Sequence, residues 1–400
     1  MKLFQAGRMT ALAVTLLAAA AALAQVNMVY VESNVGSTAN QNSVYAYSND
    51  GTGVLTQVAG SPFLTGGTGV RVRTSSTANA FTSDSQLAVN AAGTFLFAVN
   101  GNSNTIASMA INSDGTLTPV AGSPFASNGS DPVSLSVSNA GPAGDLLLVA
   151  NEANDPKQVG AIPNFTTFRI APIGTLTAVS GSTLTEVAGS MPAQVQVNPG
   201  QKFAFGLLSQ NGGSLISWAI GIGGKLVQET VLTPPNGGTS FLGMTNNALF
   251  KTVYVGLPDQ NLIGVYSYDT LGNLTFDKTV VDPGVGIGFL TSNKEATVMY
   301  SAETTSDSVT VWDINVHQLT PTVLQHITLS PGGAPSSIML DPTEKFLYVL
   351  CPNLTGVGLR GSFLHVLNVN DDGTLTETLA PLAIPVVHSA EPQGLAVVMK

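Results

Sequence analysis

A few charged side chains lie where the sequence predicts strands to end, and they could carry out chemistry. Glu152 directly follows an apolar run ending at Asn151, so its carboxylate is a candidate general base for activating water. Arg71 and Arg73 would point the same way in an extended segment, because side chains alternate along a strand, and could bind a carboxylate or a sugar oxygen. Together with Arg360, in another long predicted loop, they could stabilise a developing oxyanion.

A second candidate group precedes the apolar run 395–398 near the C-terminal end. His388, Glu391 and Gln393 form this group, and we interpret them as ligand-binding residues. A histidine near neutral pH can act as a base or bind a metal. No metal site and no cofactor is predicted, because metal-ligand spacing is absent among the remaining histidines and the single cysteine: His317, His326, His365 and Cys351.

The elements that must position these residues repeat along the chain. The stretch Leu87–Phe125 holds four short apolar runs separated by turns, and its third turn is Asp114-Gly115. Asp-Gly between apolar strands is a strong hairpin signal, because glycine accepts the positive φ of a tight turn. The stretch is therefore predicted to be a four-stranded antiparallel meander of about 40 residues, and a repeat of that length is typical of a β-propeller.

Six further stretches repeat this pattern, so the sequence predicts an all-β, seven-bladed propeller over residues 25–400. The first unit lacks an opening strand before Val29, whereas Leu395–Val398 form an opening strand with no unit behind it. We therefore expect the C-terminal strand to become the innermost strand of the first blade and to close the ring, which removes exposed sheet edges.

The predicted loops differ between the two faces of the propeller. Connections between strands one and two, and between three and four, are mostly short, as at 198–202 and 341–345. Connections on the other face are long and irregular, as at 64–85, 152–164 and 351–362. Long loops carry function disproportionately, so the long-loop face is predicted to hold the site.

The first 24 residues are predicted to be a secretory signal peptide. Lys2 and Arg8 precede or flank an uncharged apolar run, and Ala22-Leu23-Ala24 supplies the small residues of a cleavage site before Gln25. We expect an exported protein, periplasmic or extracellular, with no membrane span after cleavage. Cys351 is the only cysteine, so an intramolecular disulfide is excluded.

Composition restricts the partners. Without residues 1–24 the chain has 12 basic and 24 acidic side chains, a net charge of −12. This balance excludes nucleic acid as an expected partner, since such binding requires a basic surface. Candidate partners are a small lactone or sugar, a glycan, or another protein, and a monomer is expected.

The repeat resembles the seven-bladed lactonase family, whose best-known type is 6-phosphogluconolactonase and which has a muconate-lactonizing branch. The resemblance covers residues 27–398 and is carried by the FLFAVN strand of the second unit, its DGTLTPVAGSPF ending and the seventh unit's LDPTEKFLYVL. Asn151 and Glu152 match the family's Asn-Glu. The family's Pro-Arg-His is replaced here by Pro132-Val133-Ser134, and its later Pro-Arg-Gly by Pro392-Gln393-Gly394.

The resemblance implies hydrolysis of a lactone, and the missing basic residues favour an uncharged lactone or sugar derivative over a phosphorylated one. Glu152 is then the expected base, with Arg71, Arg73 or Arg360 at the oxyanion. Two alternatives remain open: a non-catalytic propeller that binds a glycan or a protein partner, and a structural surface module without a small-molecule site.

Overall fold

The computed structural model describes residues 26–70, 83–139, 144–154, 158–247, 249–315, 319–352, 362–386 and 390–400. Within these ranges the chain forms seven antiparallel sheets arranged as the blades of a propeller. The strands of blades 1 to 3 are β1 (Asn27–Glu32), β2 (Ser43–Asn49), β3 (Leu55–Gln57), β4 (Phe63–Leu64), β5 (Leu87–Val89), β6 (Phe95–Asn100), β7 (Thr105–Ile111), β8 (Leu117–Pro119), β9 (Phe125–Ala126), β10 (Pro132–Ser138), β11 (Leu146–Asn151), β12 (Asn164–Ile170), β13 (Leu176–Ala178) and β14 (Leu184–Thr185).

Blades 4 to 7 follow in the same order. Their strands are β15 (Pro192–Val197), β16 (Phe203–Leu208), β17 (Ser214–Ile220), β18 (Leu226–Leu232), β19 (Leu242–Asn247), β20 (Thr252–Leu257), β21 (Leu262–Tyr268), β22 (Leu274–Val281), β23 (Ile287–Ser292), β24 (Val298–Glu303), β25 (Ser308–Asp313), β26 (Thr322–Thr328), β27 (Ser337–Leu340), β28 (Phe346–Cys351), β29 (Ser362–Val369), β30 (Leu375–Thr376), β31 (Leu382–Ile384) and β32 (Leu395–Met399). Two short 3-10 turns are found at Gly101–Ser103 and Pro235–Gly237.

The ring closes as the sequence predicts. Strand β32 pairs antiparallel with β1, with Val31 opposite Leu395 and Asn27 opposite Met399. The sheet order β3-β2-β1-β32 makes β32 the innermost strand of blade 1. Strands from both ends of the propeller sequence thus build one blade, and the sheet edge that β1 would otherwise expose is covered.

The outermost position of a blade is built in two ways. In blades 4, 5 and 6 one strand of seven or eight residues occupies it. In blades 1, 2, 3 and 7 two short strands pair with the same third strand, as β8 and β9 do with β7. The interruption in blades 1 and 2 falls at the repeated Gly-Ser-Pro-Phe sequence, where proline cannot donate a ladder hydrogen bond.

The hydrophobic core lies between neighbouring blades. Trp218 of β17 is fully buried and its ring centroid is 4.8 Å from that of Phe165 in the preceding blade. Trp312 takes the corresponding third-strand position in blade 6 and is also fully buried. Both tryptophans therefore pack between blades.

Short turns between the first and second strands are fixed by one side chain. In blade 4 the Asn198 side-chain oxygen accepts from the N–H groups of Lys202 and Phe203 at 2.9 and 3.0 Å. In blade 7 Asp341 makes the same bonds to Lys345 and Phe346, both at 2.8 Å. Such Asx contacts satisfy the turn backbone locally, which gives the short-loop face its regular outline.

Candidate functional site

Asp84 lies at the axial mouth of the long-loop face. It directly precedes β5 of blade 2, yet its backbone N–H donates to Ala193 O of blade 4 at 3.0 Å. The next residue, Ser85, accepts from Leu135 N of the intervening blade at 2.8 Å. The chain entering blade 2 therefore crosses in front of blade 3, and it places a carboxyl group where three blades meet.

The Asp84 carboxyl group is almost fully enclosed, with 8% of the residue exposed. Its Oδ1 accepts from Ser85 N at 2.6 Å, and its Oδ2 accepts from Gln194 Nε2 at 3.3 Å. Burial raises the pKa of Asp84 to about 7, and the hydrogen bond from the Ser85 backbone opposes this rise. A carboxyl group titrating near neutrality can exchange a proton at physiological pH, as general acid–base chemistry requires.

Gln194 holds the opposite side of this carboxyl group. Its Oε1 accepts from Met244 N of blade 5 at 2.6 Å, which fixes the orientation of the amide. The Nε2 group consequently faces Asp84 and lies 3.3 Å from Ser85 Oγ. One buried amide thus links blades 2, 4 and 5 at the mouth.

Two more glutamines reach the same region from blades 1 and 2. Gln86 Nε2 donates to Ser83 O at 3.2 Å and to Ser83 Oγ at 3.1 Å. Gln393 Nε2 lies 3.5 Å from Ser83 O, and Gln393 N donates to Glu32 O. Gln86 Oε1 is buried without a hydrogen-bond partner in the described part of the chain, so it presents an acceptor that a ligand hydroxyl could use.

Glu152 takes the position that the sequence indicates, directly after β11, and 2% of it is exposed. Its N–H donates to Asp131 O at 2.8 Å, which ties it to the start of β10. Glu391, near the end of the last connector, is half-buried and its carbonyl accepts from Asn34 Nδ2 at 3.2 Å. Arg71, Arg73, Arg360 and His388 lie outside the described residues.

The described basic side chains are on the opposite side of the molecule. Arg169 ends β12 beside a short-loop turn and donates to Gly223 O at 2.9 Å. Of the seven described lysines, five lie in short-loop turns or directly after β32, Lys251 lies in the short turn before β20, and Lys278 lies on outer strand β22. The mouth is therefore lined, within the described residues, by carboxyl, amide and hydroxyl groups.

Sequence reasoning missed Asp84 and the buried acids Glu32 and Glu303. Asp84 was placed inside a long insertion, and only the path of the chain across the mouth shows its position. Glu32 and Glu303 end second strands, at the place where blades 2 and 3 have Asn100 and Asn151. This shared repeat position was a usable sequence signal for burial.

The short-loop face, where the sequence predicts no site, also has a concave feature. A cleft of about 420 Å³ lies between the turns of blades 6 and 7. Its rim includes Asp313, Glu344, Asp371 and Asp372, and its apolar side includes Val298. Within the described ranges no group of three or more His, Cys, Asp or Glu side chains could hold a metal ion.

Comparisons with known proteins give the fold class. No protein-family model and no curated protein matches the sequence. Among solved structures, a candidate 6-phosphogluconolactonase from Bacteroides fragilis is 18% identical with a TM-score of 0.67, covering 94% of this chain and 98% of its own. The periplasmic gluconolactonase of Pseudomonas aeruginosa is 16% identical with a TM-score of 0.68, covering 93% of this chain and 99% of its own.

A protein from Lactobacillus plantarum is similar to the same extent, at 17% identity and a TM-score of 0.70, with 94% of this chain and 99% of that chain covered. At these identities the likeness establishes a shared seven-bladed propeller fold. In the described part of the chain no helix has the length and apolar character needed to cross a membrane.

Proposed function

We propose that this propeller hydrolyses an uncharged lactone at the mouth of its long-loop face, with Asp84 as the general base. The observation that carries this proposal is the Asp84 carboxyl group, held on the axis by hydrogen bonds from Ser85 of blade 2 and Gln194 of blade 4. The lactonase-type names of two similar structures support the reaction class.

The chemistry needs few groups. Asp84, as a carboxylate, takes a proton from water while the water oxygen forms a bond to the lactone carbonyl carbon. The ring C–O ester bond then breaks, and the ring oxygen recovers the proton as a hydroxyl group. Amide N–H groups of the mouth are the available described donors for the oxyanion, with Arg71, Arg73 and Arg360 as further candidates from the sequence.

An uncharged substrate suits the composition of the mouth. Three glutamine side chains and the Ser83 and Ser85 hydroxyls offer donors and acceptors of the kind that sugar hydroxyl groups use. A phosphorylated substrate would require several cations, and the described lysines lie elsewhere. Glu152 is the second candidate base, because it is buried beside the start of β10.

The test is a hydrolysis screen against neutral and phosphorylated sugar lactones with three variants. Asp84→Asn should lower kcat/KM by about 100-fold or more, Glu152→Gln should have a smaller effect, and exposed Asp259→Asn serves as the matched control. Activity that survives in Asp84→Asn but is lost in Glu152→Gln would move the base to Glu152. No turnover by the folded wild type on any lactone would favour a binding propeller for a glycan or protein.

We also propose that the protein is exported. The supporting observations are the signal-peptide pattern of residues 1–24 and the periplasmic location in the name of the Pseudomonas aeruginosa gluconolactonase. Cell fractionation with N-terminal mass determination tests this: export predicts a mature chain that begins at Gln25. Recovery of the intact chain in the cytosol would contradict the proposal.

A further inference from the structure

Two buried carboxyl groups lie together behind the long-loop ends of blades 5 and 6. Asp282 begins the connector 282–286, which joins β22 to β23, and Glu303 ends β24. Only 3% of Asp282 and none of Glu303 is exposed. Within the described residues, neither carboxyl group forms an ion pair with a lysine or arginine.

The partners of these groups are hydroxyls. Glu303 Oε1 accepts from Ser301 Oγ at 2.6 Å, and Oε2 accepts from Ser308 Oγ at 2.8 Å. Asp282 Oδ1 has one long hydrogen bond from Thr310 Oγ1, at 3.4 Å, and Oδ2 has no hydrogen-bond partner among the described residues. Two buried negative charges without a cation are too costly, so at least one of the two carboxyl groups must hold a proton.

The electrostatic directions agree with this geometry. Burial raises the pKa of Glu303, and the neighbouring charge of Asp282 raises it further. Burial also raises the pKa of Asp282, and the nearby Gly284 backbone and the Thr310 hydroxyl oppose this rise. The other nearby charges face away: Asp307 accepts from the N–H groups of Gly333 and Ala334, and Lys278 donates to Thr320.

A hydrogen-bonded route connects the pair to solvent. The Thr310 hydroxyl lies 2.9 Å from Nδ1 of His326, which is exposed on outer strand β26. Thr310 thus touches both the acid pair and a surface imidazole. His326 is the third titratable group of this cluster, and protons can reach the pair without passing through the core.

The connector rests directly on Glu303. A Cβ added at Gly284 would lie 2.4 Å from Glu303 Cγ, so only glycine allows this approach. The start of the connector is held by Asn261, whose O accepts from Asp282 N at 3.0 Å and whose Oδ1 accepts from Gly286 N at 2.9 Å. Its end is held by residues 304–306, which follow β24 and form four hydrogen bonds with Val285 and Gly286. Any movement of the Glu303 carboxyl group is therefore transmitted to the backbone of 282–286.

We propose that Asp282 and Glu303 form a proton-dependent latch, in which one shared proton holds connector 282–286 against β24 and its loss to water releases the connector. When the carboxylic O–H bond dissociates and the proton passes to water, two neighbouring buried carboxylates remain and repel each other. Since the connector leads into inner strand β23, the latch loosens one side of the mouth as pH rises. This inference does not depend on lactone hydrolysis.

Hydrogen exchange of a peptide covering 279–290, corrected for the pH dependence of the chemical step, tests the latch on the full chain. If opening of the connector releases one proton, its equilibrium constant should rise about tenfold per pH unit. This rise should begin at the ordinary carboxyl pKa and stop at the raised pKa, above which the constant no longer changes. In Asp282→Asn and in Glu303→Gln the opening constant should stop rising at a lower pH than in wild type. The reason is that the remaining carboxyl group no longer has a second negative charge beside it.

Two controls make the outcome decisive. Glu229→Gln, exposed on β18, should leave the wild-type profile unchanged, and connector 233–241 of the same molecule should show no such slope. The latch would be overturned if the opening constant of wild type did not change with pH. It would also be overturned if the opening constants of the single variants stopped rising at the same pH as that of wild type. Loss of the slope on adding Ca²⁺ would also overturn it, because a cation would then replace the proton.

Discussion

Blades 2 and 3 end their second strands in asparagine, whereas blades 1 and 6 end them in glutamate. Asn100 donates to Thr105 Oγ1 at 3.2 Å and accepts from Thr65 Oγ1 at 2.6 Å, and Asn151 donates to Asn164 Oδ1 at 3.0 Å. Glu32 accepts from Asn42 Nδ2 at 2.7 Å, while its Oε2 has no partner among the described residues.

The asparagines and one of the glutamates share a neighbour. In blades 2, 3 and 6 a glycine of the connector that enters the blade packs against the side chain: a Cβ at Gly67, Gly129 or Gly284 would lie 2.4 Å from a carbon of Asn100, Asn151 or Glu303, respectively. Four of the seven blades thus have a planar polar group at this position, whereas blades 4, 5 and 7 end their second strands in Leu208, Leu257 and Cys351. A buried amide is uncharged at any pH, but a buried acid is uncharged only while it is protonated.

The largest expected loss of stability comes from removing Asn42, which contacts both a second-strand glutamate, Glu32, and a second-strand asparagine, Asn100. Asn42 Nδ2 is within hydrogen-bond distance of Glu32 Oε1, Val99 O and Asn100 Oδ1. Asn42→Ala should lower the free energy of unfolding by about 4 kcal/mol, because several buried acceptors lose their donor. Asn164→Ala, the matched change in blade 3, should cost about half as much in urea unfolding. Equal costs would contradict the comparison.

The next effect is a pH dependence at the second-strand ends that carry a glutamate instead of an asparagine. Burial raises the pKa of Glu32 well above its usual 4.5, and the hydrogen bond from Asn42 lowers it. Native chains therefore hold a proton that unfolded chains release, so this contribution to stability is complete below pH 4.5 and is lost as pH rises toward the raised pKa. The slope is about 1.4 kcal/mol per pH unit for one proton.

Glu32→Gln should remove that slope. Urea unfolding of wild type and variant at pH 5, 6 and 7 should give a difference in free energy of unfolding that grows in favour of the variant, by about 1.4 kcal/mol for each pH unit below the raised pKa. Parallel pH profiles of the two proteins would show that Glu32 is not titrating differently in the folded chain.

Replacing a second-strand asparagine by an acid should make stability depend on pH at a position where it otherwise does not. Asn151→Asp places an acid in blade 3 and should cost about 2 kcal/mol at pH 7, with a smaller cost at pH 4, where burial keeps the new carboxyl group protonated. Asn112→Asp, at an exposed position, is the control and should be near neutral at both values. A pH-independent cost for Asn151→Asp would point to lost hydrogen bonding alone.

The smallest expected loss of stability comes from removing the Ser301 hydroxyl, which donates to Glu303. Ser301 donates to Glu303 Oε1 and accepts from Trp312 Nε1 at 2.9 Å, so Ser301→Ala should cost about 1 kcal/mol in thermal or urea unfolding. Ser217 is equally buried but its hydroxyl has no partner within the described chain. Ser217→Ala should therefore be neutral or stabilising, and a cost equal to that of Ser301→Ala would contradict this reasoning.

Sequence reasoning could reach the architecture because it depends on local signals. Alternating apolar runs and turns such as Asp114-Gly115 predict each blade, and the unmatched strand at Leu395 predicts the ring closure, which the pairing with Val31 confirms.

The site could be predicted only in part, because its contacts join residues far apart in sequence. Asp84 and Gln194 are 110 positions apart, and nothing local to Asp84 indicates that the chain crosses in front of blade 3. Glu152 was identified because it directly follows a strand, and its role in catalysis remains a prediction. The acids Glu32 and Glu303 were missed because charged residues at strand ends usually face solvent.

The pairing of β32 with β1 also sets the order in which the molecule can be completed. Val26 and Lys400 exchange backbone hydrogen bonds of 3.1 and 2.9 Å, so residues from the two ends of the propeller lie side by side. During synthesis, blade 1 lacks its innermost strand until every other blade has been made. A chain interrupted anywhere before Leu395 leaves the edge of β1 open to quality-control proteases, which gives the cell a direct way to distinguish finished propellers from unfinished ones.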